Sequence, residues 1–420
     1  MLRTPPFPSR FFTENRRELS ASFDADAVIL LQSADSMVRN SDMEHPWRQD
    51  SSFFYLTGID EPGCSLLILP NKAGTTEEIL FIPSVDPEKE KWNGKMLTRD
   101  DAKLASGIEK VQYSETLMMT LFRSQKWRDV LYVELNDFFP DQPLTRQHRI
   151  LGDISRRLPG LQIRKLDPHT ARLRHRKKPE EVANIRTSLH IINDALSAVM
   201  RKLKPGMMEY QVEAEIVYHY LNNGCNRVGF EAIVAGGENA AILHYVTNHA
   251  RLNDGDMVLI DTGGEYGMYS GDITRVYPVN GRFTPRQRQC YQAVLDVNQA
   301  FIEALSPGDS WKQLYEKAGE IIGEIYHRAG FIDDPRNHLA VSYHRIGHYL
   351  GLDVHDVGRL DWPMAPGTII TVEPGLYLPD EKIGVRIEDN ILFTEQGIEI
   401  LSRDIPKEIE EIESMMAAAS

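Results

Sequence analysis

Cysteine is scarce in this sequence: Cys64, Cys225 and Cys290 lie far apart, are odd in number and form no CxxC pair. That excludes a disulfide framework and a zinc knuckle, and three small buried side chains are expected instead. Long apolar runs are also missing. No stretch approaches the roughly 18 residues that a spanning helix requires, and the segment from Met1 to Leu19 carries Pro5, Pro6, Pro8 and several charges but no apolar core of a signal peptide. No membrane partner and a reducing, cytoplasmic setting are therefore expected. Nor is there an excess of positive charge: 61 acidic against 47 basic residues give a formal net charge of −14, which repels a phosphate backbone and argues against nucleic acid as a partner.

What is present is the composition of a folded protein, 42% hydrophobic and 26% charged, with no low-complexity tract. A length of 420 residues exceeds what a single core usually supports, so two domains are expected. Short apolar strands are expected at Ala27 to Gln32, Ser65 to Leu69 and Ile79 to Ile82, the start of an open α/β sheet. Between the first two, the run from Trp47 to Gly58 is rich in aromatics, which usually pack in a core. The basic run Arg172 to Lys178 leads into Pro179-Glu180-Glu181, a helix start with proline near the first turn and acids after it. In so acidic a chain that run reads as a solvated linker, which puts the boundary between domains 1–175 and 176–420.

Two helices, to about Lys204 and from about Glu209 to Asn222, open the second domain. Strands follow at Met257 to Thr262 and Tyr269 to Val279, joined by Gly263-Gly264-Glu265-Tyr266-Gly267 as a hairpin. Helices return at about Arg286 to Leu305 and Trp311 to Ala329, and Thr368 to Phe393 is again strand-rich. The order helix, helix, hairpin, helix, helix, strands is compatible with a diverged two-fold duplication.

Carboxylates stand in unusual places within this frame. Asp261 ends the apolar run Val258-Leu259-Ile260, and Asp272 appears 11 residues later in Gly271-Asp272-Ile273-Thr274-Arg275. With the turn near Glu265 to Gly267 the two face each other across an antiparallel pair, about 5 Å apart at Cβ. Two carboxylates that close repel, and a bound cation accounts for both. His344, His348 and His355 crowd into 12 positions of a glycine-punctuated stretch, too many to assign to packing alone. Glu373 and Glu388 each interrupt apolar strand sequence, where an unpaired charge is costly, and Arg386 shares the face of Glu388 by the period of two. Four carboxylates and one imidazole suit paired Mn, Co, Zn or Fe ions better than a structural zinc. Two such ions acidify a shared water and polarise a carbonyl, which is hydrolytic chemistry.

The order Asp261, Asp272, His348, Glu373, Glu388, each inside its own motif, closely resembles the creatinase/aminopeptidase family, the pita-bread fold. The resemblance is strongest to its aminopeptidase P branch, with prolidase close behind. It extends to Phe53-Phe54-Tyr55-Leu56-Thr57-Gly58 and Glu61-Pro62-Gly63, which look like the N-terminal domain of that branch. It implies an α/β (α+β) protein with an N-terminal creatinase-type domain and a pseudo-two-fold C-terminal pita-bread domain. It implies an enzyme that removes an N-terminal residue preceding proline, using two divalent ions, typically manganese. By the same resemblance Asp272 and Glu388 bridge both ions, Asp261 chelates one, and His348 and Glu373 hold the other. Glu373 is also the proton acceptor, His355 bonds the carbonyl side of the tetrahedral intermediate, and His244 and His344 line the substrate pocket. Arg386 orients carboxylates, and Tyr377 is a weaker candidate.

Two departures bear on specificity. Arg345 stands where many relatives have glycine after the first histidine, and Lys95 replaces an arginine in Glu90-Lys91-Trp92-Asn93-Gly94-Lys95, whose tryptophan can cap a neighbouring subunit's site. A homodimer or homotetramer is expected on that resemblance. The alternatives are a prolidase acting on Xaa-Pro dipeptides, a metal-free binding module on the same fold, and metal-independent creatine hydrolysis. The intact ligand set speaks against the last two.

Overall fold

The computed structural model describes residues 7–71, 75–125, 128–135 and 144–418. The chain divides after Arg174 into two compact units. The first is built on a mixed six-stranded sheet of β1 (Ala27–Gln32), β2 (Ser65–Pro70), β3 (Thr76–Ile82), β4 (Lys110–Tyr113), β5 (Val130–Val133) and β6 (Gln162–Lys165), in the order β4-β3-β2-β1-β5-β6. β1 and β2 are buried along their whole length, which is why their sequences are continuously apolar rather than alternating. Val28, Leu30, Leu67, Leu69, Ile79 and Phe81 form one core with Leu117, Leu121, Leu151 and Ile154 from the helices.

The aromatic run is a helix, Ser51–Thr57. Asp50 caps it by accepting from the Phe53 amide, Gly58 ends it at φ 68°, and all seven residues are buried. A side chain at Gly58 would collide with the Phe12 ring, so glycine is required there by conformation and by space. Trp92 lies on the helix Pro87–Asn93 and is 87% exposed.

The second unit begins with the helices Pro179–Lys202 and Glu209–Asn222, followed by an antiparallel sheet of β7 (Ile233–Gly236), β8 (Met257–Thr262) and β9 (Ile273–Pro278). The pattern then repeats. Helices Pro285–Ala304 and Trp311–Arg328 precede β10 (Ile369–Val372), β11 (Gly375–Leu378), β12 (Ile383–Arg386), β13 (Asp389–Thr394) and β14 (Gly397–Ile400). In this half β10 pairs β13, β13 pairs β14, and β11 pairs β12, all antiparallel. The helix Pro285–Ala304 starts as its sequence dictates, with Pro285 in the first turn and Thr284 accepting from the Gln287 amide. This is the pseudo-symmetric pita-bread arrangement. All three cysteines are buried, and among the described residues no helix is long and apolar enough to cross a membrane.

The hairpin after β8 differs from expectation. Its two ladders, Met257↔Pro278 to Thr262↔Ile273 and Glu265↔Ser270 to Tyr266↔Tyr269, keep one offset, so the turn is Gly267-Met268, later than the sequence suggests. Both turn residues have positive φ, 55° and 73°, as a two-residue primed turn demands. Tertiary packing selects this turn: a side chain at Gly267 would run into Asn184 of the first helix.

Candidate dinuclear metal site

The later turn changes how the two aspartates meet. Asp261 pairs with Thr274 rather than with Asp272, and Asp272 lies one step beyond the end of β9, diagonal to Asp261 on the same face. The expected 5 Å opposition is therefore replaced by the wider diagonal relation, about 7–8 Å between Cα atoms in an ordinary ladder. That spacing leaves room between the carboxylates. The Asp272 amide donates to Asn390 Oδ1 at 3.2 Å and Asn390 Nδ2 donates to the Asp272 carbonyl at 2.6 Å, tying this hairpin to β13.

The glutamates also sit at breaks rather than inside strands. Glu373 follows β10 by one residue, and Glu388 falls in the gap between β12 and β13. A strand alternates its side chains between faces, whereas a break frees a carboxylate to turn toward the site without disturbing the core. Thr274 Oγ1 donates to Glu388 Oε2 at 2.8 Å and accepts from Arg386 Nε at 3.0 Å. Arg386 Nη2 reaches Asp261 Oδ2 at 2.7 Å, and Nη1 reaches the Tyr377 hydroxyl at 3.0 Å. One buried guanidinium thus ties Asp261, Thr274 and Tyr377 together.

The histidine segment runs beside β10. The Leu350 amide donates to the Ile369 carbonyl, the Thr371 amide to the His348 carbonyl and the Glu373 amide to the Ile346 carbonyl, at 3.1, 2.9 and 2.8 Å. A side chain at Gly347 would strike the Thr371 carbonyl, so the glycine permits this approach. His348 Nδ1 donates to the Tyr349 carbonyl at 3.0 Å, which orients the ring and turns Nε2 toward the site. Nε2 stands 3.4 Å from Asp272 Oδ2 and 3.5 Å from Glu373 Oε1.

His344 donates from Nδ1 to the Arg345 carbonyl and accepts at Nε2 from the Tyr377 hydroxyl, both at 2.8 Å. Burial first, and then the Arg386 charge, lower its pKa to about 4, so it is neutral. The His355 ring packs edge-on against His348 at 4.3 Å between centroids, and burial and the His348 charge lower its pKa as well. His244 is exposed, and its charge bears on both His344 and His355. Among the described residues His244 forms no hydrogen bond of its own.

The donor set fits divalent cations. Donor atoms of Asp272, His348 and Glu388 lie within 4.8 Å of one another. Asp261 Oδ1 and Glu388 Oε1 are buried without a hydrogen-bond partner, a costly arrangement unless a cation completes it. Protons otherwise have to supply the missing charge. Burial, reinforced by Asp272 and Glu373 against the pull of Arg386, raises the Asp261 pKa to about 7. Burial also raises Glu373, and raises Glu388 well above the carboxylate range with the help of Asp272, Glu373 and Asp261. At His348 burial alone would lower the pKa, but Asp272 and Glu373 override it and push it up to about 9.

Three supporting residues escaped the sequence reading: Thr274, Thr371 and Asn390. Thr371 accepts from the His348 amide at 3.0 Å and donates to Glu373 Oε1 at 3.4 Å. Each lies within two residues of a ligand candidate, which was the available signal.

Comparison with known proteins agrees with this geometry. Residues 183–395 match the profile of metallopeptidase family M24, and residues 12–132 match that of the aminopeptidase P N-terminal domain. The Xaa-Pro aminopeptidase of Haemophilus influenzae is 34% identical over 97% of each chain. Human Xaa-Pro dipeptidase is 30% identical over 98% of this chain and 94% of its own. Escherichia coli aminopeptidase P, solved with the inhibitor Pro-Leu, superposes with a TM-score of 0.91 at 32% identity over 99% of both chains. The chain belongs to metallopeptidase family M24. Within that family it is a metallo-aminopeptidase of the aminopeptidase P branch.

Proposed function

We propose that this enzyme hydrolyses the bond between an N-terminal residue and a proline at the second position of a peptide. The observation that carries the reading is the convergence of donor atoms of Asp272, His348 and Glu388 within 4.8 Å, with Glu373 3.5 Å from His348, in a chain that matches Xaa-Pro aminopeptidases along nearly all its length. Asp261, Asp272, His348, Glu373 and Glu388 would hold two divalent ions. Divalent ions bound there supply Lewis acidity, acidifying water and polarising the scissile carbonyl.

The chain's own groups do the rest. Glu373, its pKa raised by burial, accepts a proton from the attacking water and delivers it to the departing proline nitrogen. His355 donates a hydrogen bond on the carbonyl side of the tetrahedral intermediate. His244 and His344 line the pocket, and neutral His344, whose Nε2 takes the Tyr377 hydrogen, adds no charge to it. Arg386 acts as a positioning residue by holding Asp261.

The ions are proposed to be manganese, the working assembly a homodimer or homotetramer, the location cytoplasmic, and the domains 1–175 and 176–420. Exposed Trp92 is the surface feature that favours self-association. The test of the activity is turnover of an Xaa-Pro dipeptide and an Xaa-Pro-Xaa tripeptide with manganese added and then chelated. Cleavage of both supports the aminopeptidase; cleavage of the dipeptide alone replaces it with a prolidase. Metal content and light scattering address the ion and the assembly.

A further inference from the structure

Asp261, Asp272, Glu373 and Glu388 place four carboxylates in the site of a chain whose net charge is −14, a field that welcomes a peptide's α-amine and opposes its carboxylate. One cation of the histidine segment stands apart from that set. Arg345 is exposed, and among the described residues no carboxylate lies within ion-pair distance of it. It is nevertheless held in place. Its guanidinium lies over the Tyr315 ring, 5.5 Å from the centroid. Tyr315 stacks on buried Trp311 at 5.2 Å with 20° between planes, and Trp311 meets Tyr349, next to His348, edge-on at 5.7 Å.

The same stack ties Arg345 to the reaction centre. Burial raises the Tyr315 hydroxyl, Arg345 opposes that rise and Glu373 adds to it, so the guanidinium and Glu373 act on a single phenol. The backbone carbonyl of Arg345 meanwhile holds His344 Nδ1. A planar cation already fixed on an aromatic ring loses little freedom on binding an anion, and its fork matches a carboxylate.

We propose that Arg345 is a specificity-determining residue that binds a carboxylate of the peptide beyond its second-position proline. The inference rests on the Xaa-Pro reading above. The α-amine precedes the scissile bond, so a short neutral peptide carries its one carboxylate after it. The carboxylate has two sources, the C-terminus of a short peptide or an acidic side chain at the third position.

The test compares Ala-Pro-Ala as free acid, Ala-Pro-Ala amide and Ala-Pro-Asp amide on the metal-loaded full chain, on R345Q and on R345K. The free acid should exceed the Ala-Pro-Ala amide in kcat/KM by about five-fold, through KM, and the gap should narrow as salt is raised. R345Q should close the gap by raising KM for the acid, and R345K should keep part of it. An aspartyl amide as good as the acid assigns the acidic side chain as a second source; one as poor as the plain amide assigns the C-terminus alone. The proposal is overturned if neither carboxylate peptide exceeds the plain amide, or if R345Q preserves the ratio. It is overturned equally if R345Q lowers kcat on all three peptides alike, since that marks a structural role through His344. Turnover of none of the three by the unaltered enzyme sinks the Xaa-Pro reading itself, and this inference with it.

Discussion

Arg386 donates to Asp261 Oδ2 at 2.7 Å, and the same guanidinium donates from Nε to Thr274, the residue paired with Asp261 across the hairpin. With one carboxylate oxygen engaged, Asp261 keeps the other, Oδ1, unbonded and buried. Replacing Arg386 by alanine should weaken divalent-metal affinity and kcat/KM by about 10- to 100-fold, the usual cost of losing a group that orients a ligand. Arg386→Lys should recover only part, because one ammonium cannot reproduce the planar reach to Asp261, Thr274 and Tyr377. Metal titration of the three proteins checks this, and unchanged affinity in the alanine variant would refute it.

Glu373 and His355 should separate metal binding from turnover. Glu373→Ala removes a proposed ligand and proton acceptor together, and kcat should fall by about 10³-fold or more, with less metal retained. His355→Ala should lower kcat while leaving the bound metal in place. Elemental analysis beside the kinetics decides the matter; if His355→Ala strips the metal and His348→Ala does not, the two histidines have exchanged roles.

Chelated enzyme should lose stability as pH rises. His348 holds a proton in the folded state up to about 9 against an ordinary 6.5, so its contribution is complete below 6.5 and disappears through 9. Asp261, raised to about 7 from 3.8, shifts stability in the same direction between those values. Divalent metal replaces those protons, and the gain in Tm on adding it should grow from about pH 6 to pH 9. A melting series with and without chelator tests this, and a gain that stays constant or shrinks with pH counts against it.

Acid should loosen the strand behind the site by a different route. Buried Asp389 accepts from Arg275 Nη2 at 2.9 Å and Lys407 Nζ at 2.6 Å. Burial alone would raise its pKa, but those two cations prevail and lower it from 3.8 to about 2. The stabilisation, about 2 kcal/mol, is present above 3.8 and lost as pH falls through 2. Arg275→Met should cost about 3 kcal/mol or more, because it also abandons the carbonyls of Thr274, Glu388, Ile405 and Pro406. Denaturant unfolding at neutral pH measures that loss, and a cost below about 1 kcal/mol would contradict it.

Elements with their own periodicity and caps were legible in the sequence. The helix Glu209–Asn222 and the strand Ala27–Gln32 have the bounds read from their patterns. The ligand candidates were legible because charge in apolar sequence needs a reason. What could not be read were tertiary choices. The hairpin turn is set by Asn184 packing against Gly267, more than 80 residues away in sequence, and local composition favoured the earlier glycines. Glu373 and Glu388 looked like strand residues because their flanks are apolar, yet the breaks beside them depend on pairing with distant segments. The partners Thr274, Thr371 and Asn390 were hidden because a hydroxyl or amide in a strand carries no charge to explain.

The constant offset that relates Tyr266↔Tyr269 to Met257↔Pro278 makes the length of that hairpin a matter of parity. One residue inserted between 266 and 269 would send Asp272 to the far side of the ribbon while Asp261 stayed in place. Two inserted residues would restore its side but slide it along the ladder. Loop variation among natural descendants of this chain should therefore be forbidden at this tip and tolerated elsewhere on the surface, because here a count of residues is itself a catalytic dimension.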